Sequence, residues 1–347
     1  MKSIVGMGLV ALDVVLEKNS EVKPLLYAGG SCGNVLCILS YLGFNTYPIA
    51  RLANNKATEE LINDFKFWGV KTDLIFKSDD GSTPIIIQRL SKSKEGKPIH
   101  KFEFRNPEDG KYLPSFKPVL AKTIDYFYNK KPKCNFFYLD RISRSSIELA
   151  KLYKKSGAIV IFEPSSLKID NQVLINELID FVDILKFSND RIPLYKTIFD
   201  QGIIPLEIET LGKNGINYRI NNNIEGKKSE WKHIPSFNLG SIIDSAGAGD
   251  WTTAGVIKGL IENNINSINE ISIETTESIL KYAQTLGAFS CLFKGARGLM
   301  YQVDNDLLND LSEKLITNCF DKNNLIDNIL IKERNNFEDT ISSLLII

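Results

Sequence analysis

The sequence predicts an α/β protein whose mostly parallel central sheet is covered by helices on both faces, with a small β-sheet lid. From about residue 135 onward, strand-like runs alternate with helical runs. These strand runs are almost continuously apolar, which is typical of parallel strands buried on both faces. Between residues 74 and 106 the pattern changes to β-like runs separated by polar turns such as S-D-D-G-S, which predicts a small antiparallel sheet inserted into the chain.

The N-terminal third supplies the first strands, two helices and the lid. Residues 4–16 are predicted to form one or two strands joined through Gly6 and Gly8. A glycine-rich turn at 29–33 opens a helix over 34–42, and a second helix is predicted over 58–68. We assign the lid to residues 74–106 with part of 14–28. Its predicted strands are 73–76, 84–90 and 99–105.

The rest of the chain continues the strand and helix alternation. Strands are predicted at 135–139, 158–162, 184–187 and 204–209, and helices at 145–156, near 172–181, from Asp250 onward and over 274–293. No internal repeat or long linker divides the chain. We therefore expect one domain over residues 1–347, of which 301–347 form a C-terminal extension without an assigned role.

The composition predicts a soluble cytoplasmic protein. Among its 347 residues, Lys+Arg and Asp+Glu both number 42, so the net charge gives no global attraction to nucleic acid or an anionic membrane. The five cysteines form no C-x-x-C pair and fall mostly in apolar stretches, which favours buried thiols in a reducing compartment. No signal-peptide cleavage site and no run of 18 apolar residues is present.

The stretch D-S-A-G-A-G-D, residues 244–250, carries the strongest functional signal. Asp250 could be only an acid that caps a helix. However, Gly247, Ala248 and Gly249 expose successive backbone N–H groups at the start of that helix, which makes a pocket for an anion. A carboxylate beside such a pocket would repel a resting anion. Phosphoryl transfer, by contrast, needs amides for a phosphate and a base for a hydroxyl proton.

Three further motifs have both structural and functional interpretations. A-G-G-S-C-G-N, residues 28–34, is either a helix-entry turn or a place where a polar small molecule approaches the backbone. Asp13, inside V-A-L-D-V-V-L, is either an acid near solvent at a strand end or a residue facing a ligand crevice. T-L-G-K-N-G, residues 210–215, is either a hairpin turn or the border of a nucleotide phosphate site.

Several other chemistries are disfavoured. G-M-G-L-V-A, residues 6–11, matches a dinucleotide fingerprint, but that motif requires a following helix and L-D-V-V-L predicts a strand. No G-x-x-x-x-G-K-[ST] loop is present. The two histidines, His100 and His233, lie outside the glycine-rich and acidic motifs, which argues against zinc or histidine catalysis.

Taken in order, these motifs resemble those of the ribokinase-like (PfkB) carbohydrate kinases, over about residues 3–298. D-S-A-G-A-G-D is similar to the family's D-T-x-G-A-G-D signature, and A-G-G-S-C-G-N-V is similar to G-G-S-P-A-N-V-A. F-E-F-R-N-P-E-D, residues 102–109, resembles the lid segment of fructokinase-type and ketodeoxygluconate-kinase-type members, and D-I-L-K-F-S, residues 183–188, resembles their D-I-x-K-x-S strand. The resemblance implies a ribokinase-like sandwich with a β lid and ATP-dependent phosphorylation of a hydroxyl.

The resemblance also implies residue roles. Asp250 would be the general base, and Gly247, Ala248 and Gly249 would form the anion hole. Asp13, Gly29, Gly30 and Asn34 would hold substrate hydroxyls, with Arg105 reaching in from the lid. Lys186, Ser188, Thr210, Gly212, Gly215, Gly295 and Ala296 would border ATP, the last two near its adenine end. Glu163 and Asp190 are candidates for a water-mediated contact to Mg²⁺, and a monovalent cation is left as an option.

Four departures from the family pattern accompany the resemblance. Arg191 stands where the family usually has a glutamate that arranges magnesium-bound water, with Asp190 beside it. Glu163 replaces a common aspartate, and Cys32 replaces a small residue or proline in the substrate loop. A-N-N-K-A-T, residues 53–58, replaces a G-x-D-x-x-G stretch.

The sequence therefore predicts a kinase that phosphorylates a hydroxyl of a sugar or sugar acid by in-line transfer. Arg105 favours an acidic or highly oxygenated substrate, because a guanidinium suits a carboxylate. A nucleoside or other small-alcohol kinase of the same fold, and a non-catalytic small-molecule-binding homologue, are the alternatives. The resemblance also makes a homodimer through the lid plausible; no nucleic-acid or membrane partner is expected.

Overall fold

A computed structural model of the chain describes residues 2–16, 24–92, 98–130, 132–165, 172–189, 203–221, 229–240, 242–321 and 340–346. In these parts of the chain the strands form two sheets, one of nine strands and one of four. The order of the larger sheet is β13-β12-β11-β10-β9-β8-β1-β4-β5, and that of the smaller is β3-β2-β6-β7. The larger sheet consists of β1 (Ser3–Met7), β4 (Asn45–Leu52), β5 (Ile75–Lys77), β8 (Phe136–Leu139), β9 (Ile159–Phe162), β10 (Ile184–Ser188), β11 (Leu206–Thr210), β12 (Ile216–Ile220) and β13 (Lys232–Ile234). The smaller sheet, the lid, consists of β2 (Ala11–Leu16), β3 (Leu25–Gly29), β6 (Ile85–Lys92) and β7 (Pro98–Glu103).

The central sheet is mostly parallel and buried on both faces, as the apolar strands predict. All its strands from β11 to β5 pair in parallel, and only β12 and β13 add antiparallel edges. Along β9, Ile159 and Ile161 join one apolar cluster while Val160 and Phe162 join the other. Successive side chains of a strand point to opposite faces, so the two clusters lie on opposite sides of the sheet.

Six of the helices begin and end within a few residues of their predicted bounds, whereas α3 and α8 were not predicted. They are α1 (Ser31–Tyr41), α2 (Lys56–Phe67), α3 (Ile124–Lys130), α4 (Arg144–Lys155), α5 (Gln172–Ile179), α6 (Ala248–Glu262), α7 (Ile273–Ser290) and α8 (Asn305–Ile316). The start of α2 lies in the A-N-N-K-A-T stretch, where the Asn55 side chain accepts a hydrogen bond of 3.1 Å from the backbone N–H of Thr58. This stretch therefore works as a helix cap.

Two expectations about the lid are wrong. The run at 73–76 does not join the lid, because β5 pairs in parallel with β4 at the edge of the central sheet. The lid is also mixed rather than antiparallel, since β2 runs parallel to β6. The second error arises because β2 follows β1 directly and leaves the central sheet for the lid, where it lies parallel to β6. The strand after residues 6–11 also excludes the dinucleotide fingerprint.

Residues 340–346 form a short segment that we call the C-terminal clip. Ile341 and Leu344 are buried, and the carbonyl of Ile346 accepts a hydrogen bond of 3.1 Å from the N–H of Lys56 at the start of α2. Glu108, in the segment that follows the lid, accepts a hydrogen bond of 2.8 Å from the N–H of Ile341. The clip thus joins the exit of the lid to α2.

The burial of the cysteines agrees with the sequence for only part of the set. Cys32, Cys37 and Cys134 are buried, whereas Cys291 is half-buried and Cys319 is exposed. Within the described ranges, no helix combines the length and the apolar character that a membrane crossing requires.

Candidate active site

The backbone conformation of Gly247 shapes the loop that opens α6. Its φ of 76° lies in the left-handed region, which L side chains rarely adopt. A Cβ added there would also lie 2.6 Å from Cα of Ala296, which is backbone and cannot move aside. Only glycine fits this position. The first turn of α6 presents backbone N–H groups, which favour an anion. The N–H of Ala248 donates a hydrogen bond of 3.3 Å to the carbonyl of Ser245.

Asp250 lies in that first turn and contacts the second predicted motif. Its Oδ2 accepts a hydrogen bond of 2.8 Å from Nδ2 of Asn34. Asn34 lies in α1 and is 6% exposed, so the amide is held firmly. The structure therefore brings the 28–34 motif and the 244–250 motif to one site, although 216 positions separate the two side chains.

An ion pair lies beside the amides of α6. Lys186, on β10, is buried and binds Oε1 of Glu163. Oε2 of the same carboxylate accepts hydrogen bonds from the hydroxyls of Thr253 and, at 3.3 Å, Tyr138. A Cβ on Gly249 would lie 3.8 Å from Nζ of Lys186. The buried cation is therefore adjacent to the anion hole, where it would attract a phosphate.

Burial also sets the protonation of two groups near this ion pair. Desolvation raises the pKa of the Tyr138 hydroxyl well above its usual range, and the Glu163 carboxylate raises it further. The Cys32 thiol likewise has its pKa raised well above the usual value by burial and by Asp140. Both groups therefore stay protonated at neutral pH, so neither is a base or nucleophile that competes with Asp250.

The residues predicted to border ATP follow two adjacent strands. Ser188 ends β10 and is paired with Thr210 at the end of β11. Gly212 and Gly215 then adopt φ values of 56° and 98°. A Cβ on Gly215 would lie 2.1 Å from the carbonyl oxygen of Ile234, so this tight turn requires glycine. The four residues lie together at the carboxyl edge of the sheet, where open α/β sheets bind ligands.

The lid side of the site is built around Asp13. This carboxylate, on β2, is 4% exposed and accepts a hydrogen bond of 2.7 Å from Nε2 of Gln88 on β6. A Cβ on Gly29 would lie 2.1 Å from Oδ2 of Asp13, so the close approach requires glycine. Gly30 has a φ of 74°, and a Cβ added there would lie 2.5 Å from the carbonyl oxygen of Leu9. Asp13, Gly29, Gly30 and Asn34 lie on the lid side of the site.

Gly295 and Ala296 lie next to the loop that opens α6 and contact residues on both sides of it. The N–H of Gly295 donates a hydrogen bond of 2.8 Å to Oδ2 of Asp244, the first acid of the signature. The carbonyl of Ala296 accepts 3.0 Å from Nε1 of Trp251 in α6. Both residues line one cavity with Asp13 and Asn34. This places them beside the lid pocket, whereas the resemblance implied the adenine end.

Arg105 is not brought to the site. It follows β7, is exposed, and donates a hydrogen bond of 2.9 Å to the carbonyl of Gly110. Its guanidinium carbon lies 3.7 Å from the centroid of the Tyr112 ring. This local cation–π contact holds Arg105 on the outer surface. Asp190 and Arg191 lie outside the described residues.

Three polar residues of the site were missed by the sequence interpretation. Asp140 follows β8 and accepts hydrogen bonds from Ser31 Oγ and, at 2.9 Å, from the N–H of Leu9. Burial raises the pKa of this carboxyl, which Arg141 partly offsets. Asp13 was singled out as an acid inside an apolar strand, and Asp140 directly follows the predicted apolar strand 135–139, so a similar signal could have found it. Gln88 and Arg297, which line the lid cavity, gave no such signal.

The described residues do not offer a direct metal site. No group of three or more His, Cys, Asp or Glu side chains within those ranges could hold an ion. Both oxygens of Glu163 are engaged, one by Lys186 and the other by Thr253 and Tyr138. Glu163 therefore does not fit the metal role that was expected of it unless the ion pair opens.

Comparison with solved structures identifies the fold. A fructokinase from Xylella fastidiosa with bound ATP matches at a TM-score of 0.70 and 17% identity, covering 91% of this chain and 98% of that one. A nucleoside kinase from Burkholderia thailandensis in complex with inosine matches at a TM-score of 0.66 and 13% identity, covering 90% of this chain and 98% of that one. Aminoimidazole riboside kinase from Salmonella enterica, complexed with aminoimidazole riboside and an ATP analogue, matches at a TM-score of 0.63 and 18% identity, covering 89% of this chain and 99% of that one.

These matches establish the architecture that the motifs predicted. The chain has the ribokinase-like fold of the PfkB kinases, with its α/β sandwich and separate lid sheet. No protein-family model matches the sequence, and a search of curated proteins finds no relative.

Proposed function

We propose that the protein is an ATP-dependent kinase that phosphorylates a hydroxyl of a small, oxygen-rich acceptor. The observation that carries this proposal is the position of Asp250 in the first turn of α6, beside the amides that Gly247 exposes. An anion pocket next to a carboxylate suits a reaction in which a phosphoryl group arrives while a hydroxyl loses its proton.

The chemistry assigns one task to each part of the site. The acceptor lies between the lid and α1, with its hydroxyl at Asp250. Asp250 takes the proton as the hydroxyl oxygen attacks the γ-phosphorus of ATP, and the bond from that phosphorus to the β–γ bridging oxygen breaks to release ADP. The N–H groups of Gly247 and Gly249 bind the phosphoryl oxygens, and Lys186 adds positive charge to the same region. Closure of the lid would exclude water, so that ATP is not lost to hydrolysis.

Magnesium enters this proposal as the partner of the nucleotide phosphates. Mg²⁺ keeps several waters and is commonly bound through substrate phosphates with one or two carboxylates. Glu163 would take that place only when ATP draws Lys186 away from it. A magnesium ion bound in this way does not require three protein ligands, and no such group is found among the described residues. No described residue argues for the monovalent cation, and we do not include it.

The direct test is ADP release with a panel of acceptors, comprising neutral sugars, sugar acids and nucleosides. The kinase proposal expects at least one acceptor to raise ADP release well above the ATPase background of the enzyme alone. A non-catalytic binding homologue instead predicts thermal stabilisation by a ligand without any turnover. That second candidate has less support, because its best argument, Arg191, lies outside the described residues.

We also propose that two copies associate through their lids in the cytoplasm. Phe104 and Tyr112, near the end of β7, are 57% and 73% exposed. Large exposed aromatic side chains are typical of interaction surfaces. Sedimentation of Phe104→Ser beside the unchanged protein tests the association. The substitution should halve the apparent mass, and an equal apparent mass for the variant and the unchanged protein would exclude this interface.

A further inference from the structure

The lid cavity contains two polar side chains, Gln88 and Arg297, that no kinase motif accounts for. It is formed where strands β2 and β6 of the lid face the start of α1 and the loop after α7. The residues that matter for its chemistry are Asp13, Tyr27, Asn34, Gln88 and Arg297. They come from five separate segments of the chain, so the fold has assembled a polar site here.

Two amide side chains of this cavity are held by the protein at one end only. Asn34 donates from Nδ2 to Asp250 at 2.8 Å, and Gln88 donates from Nε2 to Asp13 at 2.7 Å. Their carbonyl oxygens, Oδ1 and Oε1, are buried and have no hydrogen-bond partner among the described residues. A buried acceptor without a partner is costly, so each amide is prepared to accept a hydrogen bond from a ligand.

Arg297 is anchored in the same manner. Its side chain is 1% exposed, and one guanidinium nitrogen, Nη2, binds Oδ2 of Asp64. The carboxylate of Asp64 is itself held by the N–H of Ala28 at 2.8 Å and the hydroxyl of Tyr301 at 2.9 Å. Nε and Nη1 of Arg297 have no partner in the described part of the chain. The charge of Arg297 is thus balanced while two of its donors are left for another molecule.

A purely structural role for Arg297 is the competing interpretation. In that view the guanidinium exists to neutralise Asp64, and its position over the Tyr27 ring, 5.7 Å from the centroid, is simple packing. A compact lysine could neutralise the acid without burying two unused donors. The structural role therefore explains Nη2 and leaves Nε and Nη1 unexplained.

We infer that Arg297 binds the acceptor and that it selects an uncharged polyhydroxylated compound over the matching sugar acid. This inference rests on the proposed function. The donors of Arg297 bind a hydroxyl or ring oxygen, and the carbonyls of Asn34 and Gln88 accept from neighbouring hydroxyls. A hydroxyl group both donates and accepts, which matches this mixture of groups.

The charges around the cavity disfavour a carboxylate. Three cations in the described part of the chain already pair with an acid: Arg297 with Asp64, Lys186 with Glu163, and Arg141 with Asp140 at 3.3 Å. The cavity wall adds the carboxylate of Asp13, which is 4% exposed. A substrate carboxylate would add negative charge next to Asp13 without meeting an available cation. Arg105, the residue that suggested an acidic substrate, lies on the outer surface.

The first part of the test compares matched ligands. D-Glucose with D-glucuronate, and D-galactose with D-galacturonate, keep the same pyranose ring and differ by a carboxylate in place of the C6 hydroxymethyl group. Binding to the whole protein is measured by thermal shift and calorimetry, with an imido analogue of ATP present. We expect the neutral member of at least one pair to bind at least about tenfold tighter, the effect of one misplaced polar group. Equal or tighter binding of the acid, or binding of neither pair, overturns the inference.

The second part separates binding from structure. Arg297→Met should weaken the neutral ligand about 10- to 100-fold, as expected for loss of charged hydrogen bonds, while it also leaves Asp64 without its counter-ion. The double variant Arg297→Met with Asp64→Asn removes that buried charge and should regain thermal stability. We expect its ligand affinity to stay low. If the double variant regains affinity as well as stability, Arg297 is structural.

A control and a kinetic readout complete the design. Arg89→Gln removes an arginine from the same lid strand as Gln88, but Arg89 is 37% exposed and pairs with Glu103 outside the cavity. It should leave ligand affinity unchanged. In turnover assays Arg297→Lys should raise KM more than it lowers kcat. Failure of the kinase proposal would look different, because the neutral sugar would bind the unchanged protein without any ADP release.

Discussion

Replacing Asp250 with asparagine isolates the basicity of the carboxylate from its shape. Nδ2 of Asn34 donates to Oδ2 of Asp250 at 2.8 Å, and an asparagine in its place retains a carbonyl oxygen for the same bond. The first turn of α6 should therefore keep its geometry. What disappears is the ability to take a proton, which is worth roughly 10²- to 10⁴-fold in rate for a positioned general base.

The stability of Asp250→Asn should change little. A carboxylate in the first turn of a helix contributes about 0.3–1 kcal/mol through the helix dipole. For a chain of this size that corresponds to a fall in melting temperature of about 0.4–1.4 °C. A loss of activity that came from unfolding would need a far larger fall, so one thermal melt separates the two causes.

The assay follows ADP release with the best acceptor of the panel and ATP affinity by calorimetry. We expect kcat of Asp250→Asn to fall at least about a hundredfold while ATP affinity stays within a few-fold of the unchanged protein. Asp306→Asn is the matched control, because Asp306 is exposed in the first turn of α8. A kcat reduced less than about tenfold in Asp250→Asn would refute the assignment of Asp250 as the base.

Further predictions concern the loop, the thiols and the clip. Gly247→Ala forces a Cβ to 2.6 Å from Cα of Ala296 and a strained φ of 76°, so we expect a melting temperature several degrees lower and a kcat reduced with it; a variant with full kcat would show that this loop tolerates a side chain. Because burial raises the pKa of Cys32, iodoacetamide at mildly alkaline pH should modify the exposed Cys319 and leave Cys32 unmodified in native protein, as read by peptide mass spectrometry; rapid labelling of Cys32 would contradict its burial. Leu344→Ala removes a fully buried side chain of the C-terminal clip and should cost about 2–4 kcal/mol of local stability, seen as faster hydrogen exchange at the start of α2; unchanged exchange would mean that the clip is not docked there.

The glycine-rich start of α6 could be predicted because its signal is local. Gly247, Gly249 and Asp250 are neighbours in the chain, and their spacing alone indicates exposed amides beside a carboxylate. The same holds for Asp13, an acid within an apolar strand. The parallel sheet was predicted for a related reason, since continuous apolar strands have no solvent-facing side.

The acceptor side could not be predicted in the same way. Gln88 and Arg297 become site residues only because strands β2 and β6 pair and the loop after α7 is held against α6. Neither contact leaves a pattern within one segment. Arg105 illustrates the opposite error, because its position in a lid motif suggested the site while its ring contact with Tyr112 holds it outside. The position of Arg105 in a motif was not enough to assign its role. The assignment also requires knowing which side chain Arg105 contacts.

The loop 295–297 links the two halves of the proposed reaction. The N–H of Gly295 is bound by Asp244, and the carbonyl of Ala296 is bound by Trp251, so both ends of the signature hold this loop. Arg297 then extends from it to Asp64 in α2. The same backbone that forces position 247 to be glycine therefore carries the proposed acceptor-binding arginine. Glycine at position 247 is a poor helix former, but it allows the loop 295–297 to approach the amides at the start of α6. This close approach fixes the proposed acceptor pocket relative to Asp250.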